Sequence, residues 1–173
     1  MRLAHAPAPR ISRRAVLGAV AAVGAALAGC GFQLRRTAGL SFQRLALTGF
    51  DARSPLAAEF RRVLGDADVE LVDVPAQAQV VLQALEDVTE RHVVASTSAG
   101  QVREIQLRVR LAARADAPGG RPLLAPFTLR LTRDLSYSET AALAKAQEEA
   151  GLLREMHADV VAQVLRRLAA VQA

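Results

Sequence analysis

Residues 103–111 read REIQLRVRL, and this stretch decides the fold because apolar and polar side chains alternate along it almost strictly. A period of two places successive side chains on opposite faces of a β-strand. The core side is expected to hold Ile105, Leu107, Val109 and Leu111. The other side is expected to face water with Gln106, Arg108, Arg110 and Arg114. Such one-sided patterning predicts a half-solvated, antiparallel strand.

The segments before and after this strand also predict strands joined by turns. The apolar segment 80–85 predicts a strand that continues toward Val94 and ends at the small polar turn 96–100. The turn 116–122, with prolines and two adjacent glycines, leads into residues 127–132, where apolar and polar residues alternate again. We therefore expect a hairpin with arginines on its open face.

Two further strands and two helices complete the predicted domain. Short apolar runs at 45–47 and 69–74 predict strands, and Ser54-Pro55 between them predicts the start of a helix of about ten residues. Apolar residues recur every three or four positions from Thr140 to Val171, which predicts one long amphipathic helix. The order β-α-β-β-β-β-α predicts an α+β two-layer sandwich, with a four- to five-stranded mixed sheet and both helices packed on one face.

The entry to the long helix has its own signal. Ser136 and Glu139 have the spacing of a capping box, in which the serine side chain caps the first turn and the glutamate reaches back. We therefore expect Ser136 to be the residue that starts the helix.

The N-terminal residues read as an export signal. Basic residues are followed by the uncharged run 15–28, which is shorter than the roughly 20 residues of a membrane-spanning helix. Leu27-Ala28-Gly29-Cys30 matches the lipobox of bacterial lipoproteins, so Cys30 is expected to carry the lipid anchor. We predict a signal peptide at 1–29, a lipidated tether at 30–41 and a single domain at 42–173. Arg13-Arg14 also fits a twin-arginine signal, and both export routes stay open.

Charge and composition argue against a nucleic-acid partner. Four of the 22 basic residues precede residue 30, whereas all 17 acidic residues follow it, so residues 30–173 carry 18 basic and 17 acidic residues. Aromatic residues make up only 3% of the chain, which leaves few platforms for base stacking. Any anion binding must come from a local arrangement of arginines rather than from the summed charge.

The sequence contains no recognisable catalytic, metal or nucleotide motif. It has neither G-x-S-x-G nor a phosphate loop of the GxxxxGK type. His92 and His157 have no second histidine, cysteine or carboxylate at metal-ligand spacing, and both are interpreted as surface or edge residues. We therefore predict no enzyme, no metal and no cofactor.

The arginines of the hairpin have two interpretations. Guanidinium groups bind phosphate or carboxylate bidentately, and several can share one sheet face. Arginine is also the ordinary polar residue of an alternating strand, where it protects the sheet from aggregation. The candidates are Arg108, Arg110, Arg114, Arg121 and Arg130.

Two blocks of sequence carry a resemblance to a known family. The segment 142–149 (ALAKAQEE), continuing through 153–156 and 165–168, resembles the lipopolysaccharide-assembly lipoprotein family LptE, and so does CGFQLR at 30–35. The resemblance implies an outer-membrane lipoprotein, anchored on the periplasmic side, that plugs the β-barrel LptD in a one-to-one complex. It also implies assistance in barrel assembly, contact with lipopolysaccharide during delivery, and no catalysis. The alternative is an adaptor lipoprotein of another envelope transport complex.

The resemblance also implies lipopolysaccharide-contacting residues. The family's lysine in the Ala-Leu-Ala-Lys segment falls on Lys145, whose alternative role is a solvated helix residue paired with Glu149. The family's arginine at the strand-turn-strand tip falls on Ser98, and Arg103 is the nearby residue that could replace it. With the hairpin arginines, the predicted contacts are Lys145, Arg103, Arg108, Arg110 and Arg130.

Overall fold

The computed structural model describes residues 39–67 and 69–171. The predicted signal peptide, Cys30 and the first part of the tether lie outside the described residues. The strands are β1 (Arg44–Thr48), β2 (Glu70–Leu71), β3 (Val80–Ser96), β4 (Val102–Asp116) and β5 (Pro122–Ser136). The α-helices are α1 (Pro55–Gly65) and α2 (Ala142–Ala169), and 3-10 turns lie at Pro75–Gln77 and Glu139–Ala141.

The five strands form one mixed sheet in the order β2-β1-β3-β4-β5. Strand β1 runs parallel to both β2 and β3, whereas β3, β4 and β5 are antiparallel neighbours. The last three strands are long, at 15 to 17 residues each. The turns between them place Gly100, Gly119 and Gly120 at positive φ, a conformation that glycine adopts without a steric penalty.

Both helices contribute to a single apolar core with one face of the sheet. Helix α1 buries Leu56, Phe60 and Leu64, and α2 buries an apolar stripe from Met156 to Leu168. The predicted core side of β4 is confirmed, because its four apolar residues are at most 1% exposed. The predicted α+β sandwich is therefore confirmed, with five strands and an open face on the opposite side.

Strand β2 is shorter than the predicted run 69–74. Only Glu70 and Leu71 pair with β1, after which the Val72 amide donates to the carbonyl of Leu45 and the chain turns into the 3-10 segment at Pro75. Val74 is 50% exposed. Proline has no amide N–H to continue a ladder, and the strand ends before Pro75 although Val72 and Val74 are apolar.

The predicted capping box at Ser136 and Glu139 is wrong. Ser136 remains in β5, opposite Glu104, and Glu139 opens the 3-10 turn. Helix α2 then begins at Ala142 with no side-chain cap. The predicted helix, residues 140–171, is therefore two residues longer at each end than the observed helix, Ala142–Ala169. Within the described residues, we find no helix that is long and apolar enough to cross a membrane.

Candidate functional site

The open face of the sheet brings three of the predicted arginines together. Strand register sets Arg110 of β4 directly opposite Arg130 of β5, and Arg108 opposite Thr132. Directly opposed residues in an antiparallel pair share one face, with Cβ atoms about 5 Å apart. Arg108 and Arg130 are therefore diagonal neighbours.

A β-bulge decides which residues of β3 join this face. Pairing with β4 shifts between Ala84 and Glu86, so Leu85 is the additional residue. Before the bulge, even-numbered residues such as Leu82 are buried beneath the helices. After it, even-numbered residues lie on the open side, and Glu90 is opposite Arg108. The bulge thus places Glu86 and Glu90 of β3 on the same face as the arginines of β4 and β5.

These strands enclose a shallow groove of about 420 Å³, which we call the arginine groove. Its walls are Glu90, Gln106, Arg108, Val109, Arg110, Arg130, Leu131 and Thr132. The side chains of Val109 and Leu131 belong to the covered face, so the groove is lined on its accessible side by polar groups.

The three arginines differ in how their charge is balanced. Arg110 Nη2 lies 2.7 Å from Glu86 Oε1. Arg108 Nε donates to Gln106 Oε1 at 2.7 Å, which is a neutral partner. Within residues 39–67 and 69–171, the ion pairs include neither Arg108 nor Arg130. Arg108 and Arg130 therefore have no ion-pair partner among the described residues, although Glu90 is opposite Arg108.

Glu90 is the acidic group on the rim of the groove. Its carboxylate lies 2.9 Å from His92 Nε2. The hydrogen bond to His92 lowers the pKa of Glu90, and the charges of Arg110 and Arg108 act in the same direction. Glu90 therefore adds a carboxylate to the rim of the groove, opposite Arg108.

The other predicted contact residues lie elsewhere. Lys145 Nζ donates to Ser136 Oγ at 3.2 Å and to Glu148 Oε2 at 2.8 Å, which joins the start of α2 to the end of β5. Its predicted ion-pair partner, Glu149, instead pairs with Arg91 at 3.2 Å, because the long side chain of Arg91 reaches α2 from β3. Lys145 thus has a partner one residue earlier than expected.

Arg103 and Arg114 do not enter the groove. Arg103 is exposed and lies near the turn 97–101, at an irregularity in the pairing with β3, where Ala95 is opposite Glu104 and Ser96 is opposite Val102. Arg114 is on the open face, but its Nε contacts Asp116 Oδ2 at 3.2 Å and Gln83 Oε1 at 2.9 Å. Arg114 therefore fits the interpretation as an ordinary strand residue.

The interpretation of His157 as a surface or edge residue is wrong. His157 is only 6% exposed, and its Nε2 lies 3.1 Å from Thr89 Oγ1. Burial lowers the pKa of His157, and the charges of Asp87 and Glu59 partly oppose that effect. Its position four residues after Leu153 and three before Val160 puts it on the apolar stripe of α2, a signal that could have identified it.

A second buried contact accompanies this histidine. Ser54 caps α1 by accepting a hydrogen bond from the Ala57 amide, and its hydroxyl donates to the carboxylate of Asp87. Asp87 and Thr89 face the helices only because of the bulge at Leu85. These contacts tie α1 and α2 to β3, so their role is structural. Among the residues described, no group of three or more histidine, cysteine, aspartate or glutamate side chains could hold a metal ion.

Comparison with known proteins gives a family match over nearly the whole described domain. The model of the LptE family, described as lipopolysaccharide-assembly, matches residues 42–168. The chain is also similar to the LPS-assembly lipoprotein LptE of Pectobacterium atrosepticum, at 31% identity over 144 residues. That alignment covers 82% of this chain and 77% of the relative.

Solved structures of lipoproteins share the fold. The solution structure of lipoprotein B from Nitrosomonas europaea is 29% identical with a TM-score of 0.66, and the match covers 81% of this chain and 91% of that one. The crystal structure of rare lipoprotein B from Shewanella oneidensis is 27% identical with a TM-score of 0.58, covering 73% and 93%. A minor lipoprotein from Acinetobacter baumannii, at 23% identity and a TM-score of 0.60 over 76% and 93%, shares the fold alone.

Proposed function

This chain belongs to the LptE lipopolysaccharide-assembly family, and from that premise we propose that it is an outer-membrane lipoprotein that binds and plugs the LptD β-barrel. In this role it assists assembly of the barrel and the delivery of lipopolysaccharide to the outer leaflet. The family is one of lipopolysaccharide-assembly lipoproteins, so a part in lipopolysaccharide transport follows from membership. The barrel partner, the plug and the outer-membrane location are the proposed steps.

The family match over residues 42–168 is the observation that carries this proposal. It spans all five strands and almost all of α2, so it involves the complete sandwich rather than one motif. The lipobox ending at Cys30 supports the anchor, since diacylglycerol and an additional acyl chain hold a protein stably at a membrane.

The shape and polarity of the domain suit a barrel lumen. Helices cover one face of the sheet, and the open face presents arginines, glutamates and threonines to solvent. The interior of a large outer-membrane barrel is polar and filled with water. A sandwich with a solvated sheet face can enter such a lumen without losing the hydration of its charged groups.

Contact with lipopolysaccharide is proposed at two places. Lys145 and Arg103 both lie near the end of the sheet where β4 starts and β5 ends, since the Tyr137 amide donates to the Arg103 carbonyl. Arg108, Arg110 and Arg130 form the arginine groove on the open face. Guanidinium and ammonium groups suit the phosphates of a glycolipid.

The test is purification of a tagged full-length protein from detergent-extracted membranes. We expect LptD to co-purify in about equal amount, which mass spectrometry and quantitative staining would measure. Recovery of the tagged protein alone, or with an inner-membrane transporter, would contradict the barrel complex and favour the adaptor lipoprotein.

A further inference from the structure

The second half of β3 has an edge without a neighbouring strand, because β1 is much shorter than β3. Strand β1 pairs with residues 80–83, whereas β3 continues to Ser96. The loop 49–54 after β1 then lies against residues 84–87. Among the strands that the structure describes, none pairs with residues 88–94 on this side. We call these seven residues the free edge of β3.

The free edge combines open backbone groups with exposed β-branched side chains. It reads VTERHVV, and four of its residues are valine or threonine. Val93 and Val94 are 51% and 47% exposed. An unpaired strand presents its amide and carbonyl groups to solvent, which makes it a site for pairing with a strand of another chain.

The charges of the free edge are complementary to themselves. Charged residues protect an edge from unrelated strands. In an antiparallel pair of two copies with Arg91 on the two-fold axis, Glu90 of each copy is opposite His92 of the other. With the axis at Glu90 or at His92, two carboxylates or two imidazoles would be opposed instead. Opposite charges in directly opposed positions stabilise a sheet, and like charges destabilise it.

The remaining positions of this register are also compatible. Thr89 is opposite Val93 of the second copy, and β-branched residues pack well across strands. Arg91 is opposite its own equivalent, but its Nε lies 3.2 Å from Glu149 and its guanidinium lies 5.7 Å from the centre of the Tyr137 ring. The charge of Arg91 is therefore balanced within each copy.

We propose that two copies of this chain pair antiparallel through the free edges of β3, with Arg91 at the two-fold axis. The two five-stranded sheets then form one continuous sheet. His92 of one copy lies beside Glu90 on the rim of the other copy's arginine groove. The pairing rests on the strand register and goes beyond the proposed barrel complex. Because the interface is small, we expect a weak dimer.

The first experiment uses engineered cysteines in the full-length protein, held in dodecyl maltoside micelles. A Glu90→Cys copy is mixed with a His92→Cys copy under mild oxidation. Directly opposed residues are about 5 Å apart, within reach of a disulfide, whereas two copies of the same variant place their cysteines diagonally, about 7–8 Å apart. We expect a disulfide-linked dimer from the mixture and at least about tenfold less from either variant alone. The unaltered protein, whose only cysteine is Cys30, measures any crosslinking through that residue.

The second experiment exchanges charges and measures the dissociation constant of the dimer by analytical ultracentrifugation. Glu90→Lys places two lysines opposite two histidines, so we expect the dissociation constant to rise about tenfold. Glu90→Lys/His92→Glu restores opposite charges in the reverse order, and we expect an affinity close to that of the unaltered protein. Recovery in the double variant distinguishes pairing from damage to the fold.

Glu139→Lys is the matched control for Glu90→Lys. It makes the same change of charge at an exposed glutamate in the 3-10 turn before α2, away from the free edge. We expect no change in the dissociation constant.

Four results would overturn the inference: no disulfide in the mixture, equal crosslinking in either variant alone, no recovery in the double variant, or an equal loss in Glu139→Lys. Co-purification of LptD with the unaltered protein is measured separately. If LptD co-purifies and the dimer is absent, only the pairing is refuted. If the dimer forms and LptD is absent, only the proposed barrel complex is refuted.

Discussion

Gly49 is the residue at which the fold tolerates no side chain. A Cβ at this position would lie 2.1 Å from the carbonyl oxygen of Ala84, and φ is +77°. We expect Gly49→Ala to lower the free energy of unfolding by about 3 kcal/mol, since both a backbone strain and a clash with β3 are introduced. Urea denaturation followed by circular dichroism would measure the loss.

Gly100→Ala separates the two causes. Gly100 has nearly the same φ, +78°, but nothing lies within 4 Å of an added Cβ. We expect this variant to lose only about 1 kcal/mol from the left-handed backbone. Equal losses in the two variants would show that the approach of residue 49 to Ala84 is unimportant.

His157 makes the stability of the domain depend on pH. Burial lowers its folded-state pKa below the ordinary value of 6.5, so the unfolded chain binds the proton more readily. The stabilisation is fully present above pH 6.5 and is lost as pH falls from there through the folded pKa. We expect the unfolding free energy to decline over this range, and His157→Gln to flatten the decline.

His92→Gln is the control for this pH dependence. His92 is far more exposed, with its side chain 42% accessible, so its removal leaves the buried environment of α2 unchanged. We expect the decline below pH 6.5 to persist in this variant. A slope that disappears in His92→Gln and stays in His157→Gln would contradict the assignment to His157.

At the scale of elements, the spacing of apolar residues predicted which face of a single strand or helix is buried. It did not predict features that depend on the pairing of two strands, such as a β-bulge. The pattern gave the faces of residues 105–111 correctly, because β4 itself has no extra residue between Glu104 and Ala113. At Leu85 the even-numbered residues of β3 change from the covered face to the open face, and no residue type in the sequence indicates the bulge that causes this change. Sequence alone therefore could not place Glu90 beside Arg108, or Asp87 beneath the helices.

The groove illustrates the same limit. The sequence identified Arg108, Arg110 and Arg130 as residues of one open face, but which of them are neighbours depends on register, and a slip by one residue reverses the faces. In the structure, Arg110 is opposite Arg130 and Arg108 is opposite Thr132. Ser136 failed as a cap for a related reason, since pairing with Glu104 kept it in the sheet.

Helix α2 packs against the core mainly through its second half, where its buried residues lie. Leu168 is fully buried in the common core, whereas Leu143 in the first turn is 78% exposed. We expect Leu168→Ala to cost about 2–5 kcal/mol of unfolding free energy, because it leaves a cavity between the helix and the sheet. Leu143→Ala should change it by less than about 0.5 kcal/mol. Similar losses measured by chemical denaturation would contradict this division of the helix.

At the scale of the whole molecule, the basic residues are distributed unevenly along the chain. The excess of basic residues lies in the first 29 positions, where it suits a signal peptide, and residues 30–173 are nearly neutral. A nearly neutral domain has little long-range attraction for polyanions. Selective binding of an anion must therefore depend on a local site such as the arginine groove, in which Arg108, Arg110 and Arg130 are neighbours.

The proposed anchor leads to a prediction for the complete chain. Cys30 is the only cysteine, so Cys30→Ala removes the sulfur to which diacylglycerol would be attached. We expect this variant to lack the lipid mass and to remain uncleaved before residue 30, because processing at a lipobox requires the modified cysteine. Mass spectrometry of the purified protein would measure both changes. An unchanged mature N-terminus would contradict the lipoprotein assignment.

Gly31→Asp tests whether the lipoprotein is sorted to the outer membrane, and it leaves the predicted lipidation site at Cys30 unchanged. Glycine after the cysteine resembles the outer-membrane sorting class of Gram-negative lipoproteins, which aspartate at this position does not. We expect Gly31→Asp to keep the acyl mass and to move from outer-membrane to inner-membrane fractions of a density gradient. Because Cys30 is unchanged, loss of lipid cannot explain that shift. Recovery of acylated Gly31→Asp protein in the outer membrane would contradict the sorting prediction and leave the anchor intact.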